Sequence, residues 1–336
     1  MANCLVTGVA GFIAARVTEM MLENGHNVLG WDNLNDAYDV QLKEYRLKRL
    51  QSQRSDSGGK FSFHRLDISD RSVLEHESLK GWKFDAVINL AARAGVRVSV
   101  IDPWVYVDTN VTGTLNMLEL CRRQGIPKFI LASTSSVYGA NAPLPTPEDY
   151  DSSYPLQPYA ASKKGAEALC HAYHYLYGID ATVVRYFTVY GPAGRPDMVL
   201  FRFVKWISEG LPVLINGDGN QSRGFTYVDD IASGTILALK SLGNGAKPSF
   251  EIINLGGHET ITINNLMHMV EQDVGHKARV AYGPLHPADV LANWANVEKA
   301  KKLLGWEPKV SLSEGVSRLV DWYKAERSWV SQVNTD

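Results

Sequence analysis

A tyrosine and a lysine four positions apart, in Tyr159-Ala-Ala-Ser-Lys163, are the residues of this chain best suited to moving a proton. At i and i+4 both side chains leave the same face of a helix. A free phenol keeps its proton at neutral pH. A neighbouring ammonium, joined by a positive nicotinamide ring, favours the phenolate and is expected to lower that pKa. Tyr159 can then act as a general base on a hydroxyl group. The same spacing also arises as an ordinary surface pair. Its position sets it apart here: a helix is expected after the fifth strand, downstream of a glycine-rich loop.

That loop is Thr7-Gly8-Val9-Ala10-Gly11-Phe12-Ile13-Ala14, between a first strand and a first helix. Glycines at this junction permit a tight turn and let a pyrophosphate reach the backbone at the helix N-terminus. The third small position is Ala14 rather than glycine, still small enough for close helix–strand packing. Alone, the loop could be a structural turn. Asp32, 24 residues beyond Gly8, adds a carboxylate at the end of the second strand. A carboxylate there accepts from the adenosine ribose hydroxyls and repels a 2′-phosphate. No Arg or Lys follows in the next several positions, so the reading is NAD rather than NADP.

The elements that must hold these groups follow an alternating pattern. Short apolar runs at Cys4–Val6, Asn27–Trp31, Phe61–Arg65, Ala86–Leu90, Phe129–Ala132 and Thr182–Phe187 read as strands. Helical patterns fall between them, notably Phe12–Leu22 and Val105–Arg123. Such alternation implies an α/β fold, a Rossmann-type doubly wound parallel sheet covered on both faces. After about Tyr190 the pattern changes to short strands mixed with helices at Val228–Leu242, Ile263–Val274 and Leu312–Glu326. Residues 1–190 are therefore read as the dinucleotide-binding domain with the Tyr/Lys helix. Residues 191–330 are read mainly as a smaller C-terminal α/β substrate lobe, some of whose elements return to the large domain. Leu42–Gly59 is expected to be a helix running into a flexible loop.

Composition excludes several classes. The chain has 336 residues, 45% hydrophobic, and a net charge of -2, so no strong field attracts nucleic acid or an anionic membrane. Aromatic residues do not alternate with a basic stripe, which argues against nucleic-acid binding. No apolar run is long enough to span a bilayer, and the N-terminus reads as a strand rather than a signal peptide. Cys4, Cys121 and Cys170 are few, odd in number and scattered, as expected of buried reduced thiols in a cytoplasmic protein. No His/Asp/Glu set has metal spacing. His171, His174 and Tyr175 are expected to pack or to touch a partner.

These residues carry a family resemblance that runs nearly end to end. The chain resembles the extended short-chain dehydrogenase/reductases, in the group of sugar-nucleotide epimerases and dehydratases. The likeness includes Asp67-Ile68 on the adenine side, Leu90-Ala91-Ala92, Asn110, Val137-Tyr138-Gly139, Tyr159/Lys163, Arg185-Tyr-Phe187 and Arg223 to Asp230. It implies bound NAD held by Gly8, Gly11, Phe12, Ile13, Asp32, Asn33, Asp67, Ile68, Leu90, Ala91, Ala92, Asn110, Tyr159 and Lys163. It also implies a UDP-sugar substrate, a homodimer, and Thr134 as the hydroxyl that helps Tyr159 hold the reacting O4. Family 4,6-dehydratases carry Thr-Asp-Glu before the Val, and decarboxylases a Glu. This chain reads Thr134-Ser135-Ser136, without an acid, which leaves oxidation and reduction at C4, an epimerisation.

The stretches Asp32–Val40 and Thr188–Met198 resemble those of the epimerases that act on UDP-glucuronate. Galactose-type epimerases usually have Asn where Thr188 stands; a small hydroxyl leaves room for a carboxylate. On this reading Ser135, Ser136 and Thr188 hold the carboxylate, Arg195 pairs with the UDP moiety and Arg223 is a second anion contact. Asp289 belongs to the substrate set by resemblance. Asn89, Arg93, Gly224 and His286 depart from the family pattern. Two alternatives stay open. One is the same chemistry on a neutral UDP-hexose or UDP-N-acetylhexosamine. The other is a non-catalytic NAD-binding regulator on this fold.

Overall fold

The computed structural model describes residues 1–52, 58–257, 259–285 and 290–335. The apolar runs of the first half form β1 (Asn3–Thr7), β2 (Asn27–Asp32), β3 (Phe61–Arg65), β4 (Ala86–Asn89), β5 (Lys128–Thr134) and β6 (Asp180–Tyr186). The second half supplies β7 (Thr188–Tyr190), β8 (Pro212–Asn216), β9 (Ser222–Tyr227), β10 (Phe250–Leu255), β11 (Thr260–Thr262), β12 (Arg279–Gly283) and β13 (Ala292–Asn293). Seven strands make one sheet in the order β10-β6-β5-β4-β1-β2-β3, and every pairing in it is parallel. The chain works outward from β1 in one direction and then from β4 in the other. The switch point therefore lies between β1 and β4, where a crevice opens at the strands' C-terminal ends.

β1, β4 and β5 are buried on both faces because helices cover each side. On one face Val17 and Met21 of the helix Phe12–Glu23 share a core with Ile231 and Ala238 of the helix Val228–Ser241. That core continues into the second lobe through Val204, Leu266 and Val316. On the other face Met117 and Leu120 pack with Ala166 and Cys170. Each fully buried Val, Leu, Ile or Met among them contributes about 1.5–3 kcal/mol. All three cysteines are buried and unpaired.

β10 comes from the C-terminal half yet completes the large sheet beside β6. The rest of that half builds around β9, which pairs with β7, β11 and β13, while β8 and β12 form a separate parallel ribbon. The helix expected at Val105–Arg123 is interrupted by a π-helical turn, Val107–Thr112, before the regular helix Gly113–Gln124. The helix expected from Leu42 spans Val40–Ser52. The loop expected after it falls partly outside the described residues, as do His286 and Asp289. His171 and His174 pack their rings on Phe250, whereas Tyr175 is exposed.

Candidate active site

At the switch point Gly8 adopts φ +71. A Cβ there would lie 2.7 Å from the backbone of Ala91, so this turn and the Leu90-Ala91 segment approach only because Gly8 has no side chain. A Cβ on Gly11 would lie 2.8 Å from the Gly8 carbonyl oxygen. Gly11 begins the helix Phe12–Glu23 without a side-chain cap, which leaves the first-turn N–H groups for an anion. Ala14 is buried, as the close packing of that helix requires. Asp32 is buried at the end of β2 and accepts the N–H of Ala10 at 3.1 Å and of Leu34 at 2.8 Å. Its bond to Leu34 holds a non-glycine residue at φ 51. Asn33 donates to Asp67 at 2.8 Å, and Ser69 donates twice more to that carboxylate. Burial pushes Asp67 up, but these bonds outweigh it and its pKa is lowered. The cradle fits a dinucleotide: a side-chain-free backbone turn for the diphosphate and a buried carboxylate at the next strand end for a ribose.

The helix Pro158–Tyr177 lies over β5 and brings the proton-handling pair to the same crevice. Lys163 is buried and donates to the Ala132 carbonyl of β5 at 2.8 Å. Burial lowers its pKa to about 8, with Glu167 opposing. One turn further, Glu167 takes a bidentate bond from Arg185 at 2.9 and 2.7 Å and another from the Ser133 hydroxyl at 2.5 Å. This buried set ties the helix to the ends of β5 and β6 and fixes the rotation of Tyr159 and Lys163. Tyr159 is half-buried, and burial raises its pKa; the Thr134 hydroxyl and the Arg195 guanidinium oppose that rise. Thr134 and Arg195 are the protein groups that oppose the rise, and the Lys163 ammonium, one turn along the same helix, is held by the Ala132 carbonyl.

Asn110 sits on the π-helical turn, which aims it at the crevice. It accepts the Arg93 N–H at 2.9 Å and donates to the Arg93 carbonyl at 3.0 Å and to Ser162 at 2.9 Å. The Arg93 backbone is thus clamped beside the helix that carries Tyr159 and Lys163.

β5 ends at Thr134, and a 3-10 turn, Ser135–Tyr138, presents the three hydroxyls in succession. Thr134 accepts the Ser136 N–H at 3.2 Å. Ser135 accepts from the Asn293 amide at 2.9 Å. Thr188 begins β7 opposite Phe225 of β9 and is half-buried. The two arginines have protein partners. Arg195 makes a bidentate pair with Asp197, at 3.0 and 2.5 Å. Arg223 donates to the carbonyls of Ser222, Leu291 and Val290, at 2.8, 3.2 and 2.6 Å.

Two departures from the family pattern have physical reasons. Asn89 accepts from Thr7 at 2.6 Å and donates to Thr114 at 3.1 Å, while Thr7 accepts the Ala91 N–H. It therefore joins the glycine turn to the neighbouring helix. At Gly224 a Cβ would lie 2.5 Å from the Gly257 oxygen and 2.8 Å from Trp294 Cβ, so no side chain fits. Sequence reasoning missed Lys43 and Arg46, both buried on the helix Val40–Ser52. Lys43 donates to the carbonyl and side-chain oxygens of Asn35, both at 2.7 Å. Burial lowers its pKa to about 8 against the opposing charge of Asp32. Arg46 donates to Ala10 at 2.9 Å, to Ala193 at 2.9 Å and to Gly194 at 3.3 Å. It pins the glycine loop to the loop carrying Arg195, where Ala193 stands at φ 53. The signal was present: Lys43, Arg46, Leu47 and Leu50 have the spacing of one helix face.

Comparison with known proteins agrees with this geometry. Residues 4–256 match the model of the NAD dependent epimerase/dehydratase family. The chain is 54% identical over 321 residues to a UDP-glucuronate 4-epimerase of Thermodesulfobacterium geofontis, covering 95% of each chain. It is similar, at 37% identity and a TM-score of 0.87, to the crystal structure of UDP-glucuronic acid 4-epimerase from Bacillus cereus with UDP-glucuronic acid and NAD, covering 96% of this chain and 99% of that one. The UDP-glucose 4-epimerase of Thermotoga maritima with UDP-glucose lies further off, at 32% identity and a TM-score of 0.83, covering 97% and 99%.

Proposed function

The chain belongs to the NAD dependent epimerase/dehydratase family, and on that premise we propose that it is an NAD-dependent isomerase that interconverts UDP-glucuronate and UDP-galacturonate. The observation that carries this reading is the acid-free turn Thr134-Ser135-Ser136, set against the Tyr159 phenol at the end of β5. The similarity to epimerases of UDP-glucuronate supports it.

NAD is held by the Gly8/Gly11 turn and the first-turn N–H groups after it, by Asp32, Asn33 and Asp67 on the adenosine side, and by Asn110, Tyr159 and Lys163 towards the nicotinamide. When bound, NAD supplies oxidation at C4 and then its reversal, with no net consumption. Tyr159 takes the O4 proton and later returns it, while the Thr134 hydroxyl holds O4 in line. The charges that favour the phenolate are the Lys163 ammonium, Arg195 and the cofactor's own. Lys163, fixed by Ala132 and balanced by Glu167, orients the ribose.

A glucuronate oxidised at C4 is a β-keto acid, which loses CO₂ when its C5–C6 bond stands perpendicular to the ketone plane. Ser135, Ser136 and Thr188 hold the carboxylate out of that geometry with neutral donors. Hydrogen-bonded anchoring also resists the desolvation that would favour loss of CO₂. Arg195 and Arg223 contact the diphosphate, and Asp289 completes the substrate set.

Residues 1–190 act as the cofactor domain and 191–330 mainly as the substrate lobe. The enzyme works as a cytoplasmic homodimer. Trp104, 76% exposed, and Tyr175, 80% exposed, lie with Ile101 and Leu176 on helices suited to a two-fold contact. No helix among the described residues is long and apolar enough to cross a membrane.

The test is incubation of the purified protein with UDP-glucuronate, UDP-glucose and UDP-N-acetylglucosamine, with the epimers resolved chromatographically. UDP-galacturonate should form fastest. Faster conversion of a neutral sugar would overturn the substrate assignment.

A further inference from the structure

Ser135 is buried after the last residue of β5, yet its hydroxyl is held from the other lobe. The Asn293 Nδ2 donates to Ser135 Oγ at 2.9 Å across 158 positions of sequence. Asn293 lies on β13, a two-residue strand that pairs with β9, opposite Arg223. Arg223 donates to the carbonyls of Val290 and Leu291, the residues that lead into β13. The neighbouring pair Gly224 and Trp294 comes too close for any Cβ at position 224. β13 is thus built to place one amide group over the end of β5.

A serine hydroxyl has one proton to give and lone pairs to receive. An amide N–H from Asn293 takes one of its two lone pairs, which biases the hydroxyl towards giving its own proton to another acceptor. A carboxylate can only accept, whereas the C6 hydroxyl of a neutral sugar can donate or accept. A serine biased towards donating therefore favours the charged sugar. We propose that Asn293 is a specificity-determining positioning residue: it orients the Ser135 hydroxyl as a donor to the substrate carboxylate and makes that donor depend on the substrate lobe being in place. This rests on the reading of Ser135 as a carboxylate contact.

Asn293→Asp keeps the shape but accepts the Ser135 proton instead of donating. Asn293→Ala removes the donor without adding charge. NAD-loaded variants are titrated calorimetrically with UDP-glucuronate, UDP-glucose and UDP, beside Ser135→Ala. Asn293→Asp should weaken UDP-glucuronate by about 10-fold or more, and Asn293→Ala by about 3-fold, with UDP-glucose and UDP changed by less than about 2-fold. Equal weakening of both sugars, no weakening, or a matching loss of UDP affinity would overturn the proposal and leave Asn293 a packing residue. Ser135→Ala separates the two readings. Selective loss of UDP-glucuronate there, without it in the Asn293 variants, keeps the carboxylate contact and rejects the role of Asn293. Equal loss of both sugars in Ser135→Ala rejects the carboxylate contact and the role of Asn293 together.

Discussion

Replacing Lys163 by Met should stop turnover while making the cofactor-free protein more stable. The Lys163 side chain is 4% exposed, and burial holds its pKa at about 8 against an ordinary 10.5. Each pKa unit corresponds to about 1.36 kcal/mol, so carrying the charge at neutral pH costs roughly 3 kcal/mol. Losing the bond to the Ala132 carbonyl takes back about 1 kcal/mol, which leaves a net gain of about 2 kcal/mol. Unfolding entropy of about 2.1 cal/mol/K per residue, over 336 residues, gives about 0.7 kcal/mol/K and a rise in Tm of about 3 °C. The sign also fixes a pH window. Lys163 binds its proton less tightly folded than unfolded, so its penalty is fully present below about pH 8. The penalty fades as pH rises towards 10.5, where both states lose the charge. The advantage of the Met variant should therefore shrink across that interval. Thermal and denaturant unfolding of both proteins, stripped of NAD, from pH 7 to pH 10 measures this. A stability difference independent of pH, or a variant less stable than the natural protein at pH 7, would refute the reasoning.

Tyr159→Phe should lower kcat by about 10²- to 10⁴-fold while UDP-sugar affinity and bound NAD are retained; near-normal turnover rejects Tyr159 as the base. Thr134→Val removes a group that opposes the burial-driven rise of the Tyr159 pKa, so the acidic limb of the kcat–pH profile should move to higher pH. An unmoved limb would mean that this limb does not report Tyr159. Thr188→Ala or Ser136→Ala should weaken UDP-glucuronate more than UDP-glucose and release some UDP-4-keto-pentose, detected by mass. Intact partitioning with equal losses on both sugars argues against these residues as the carboxylate anchor.

Local chemistry was legible because it depends on short spacings. The glycine turn before a helix, a carboxylate at the next strand end, and Tyr159/Lys163 on one helical face each need only a few consecutive residues in regular structure. Alternating apolar runs likewise implied the parallel sheet, since strands buried on both faces must be continuously apolar. The hydroxyl triplet at Thr134–Ser136 was visible for the same reason: it directly follows a strand that ends at the crevice.

Contacts between distant segments were not legible, because they depend on how lobes pack rather than on spacing. Nothing near Ser135 in sequence announces Asn293, and nothing near Lys163 shows that its ammonium meets the Ala132 carbonyl on β5. The departure at Asn89 became intelligible only when Thr7 and Thr114 were brought to either side of it. Lys43 and Arg46 lay within a stretch read only as a helix running into a loop; tertiary packing buries both and bonds Arg46 to the glycine loop and the Arg195 loop. The sequence by itself determined which groups could exchange a proton and cradle a dinucleotide. Tertiary structure alone decided which partners each charge and hydroxyl keeps, because desolvation and donor direction are set by whatever the fold places across the crevice.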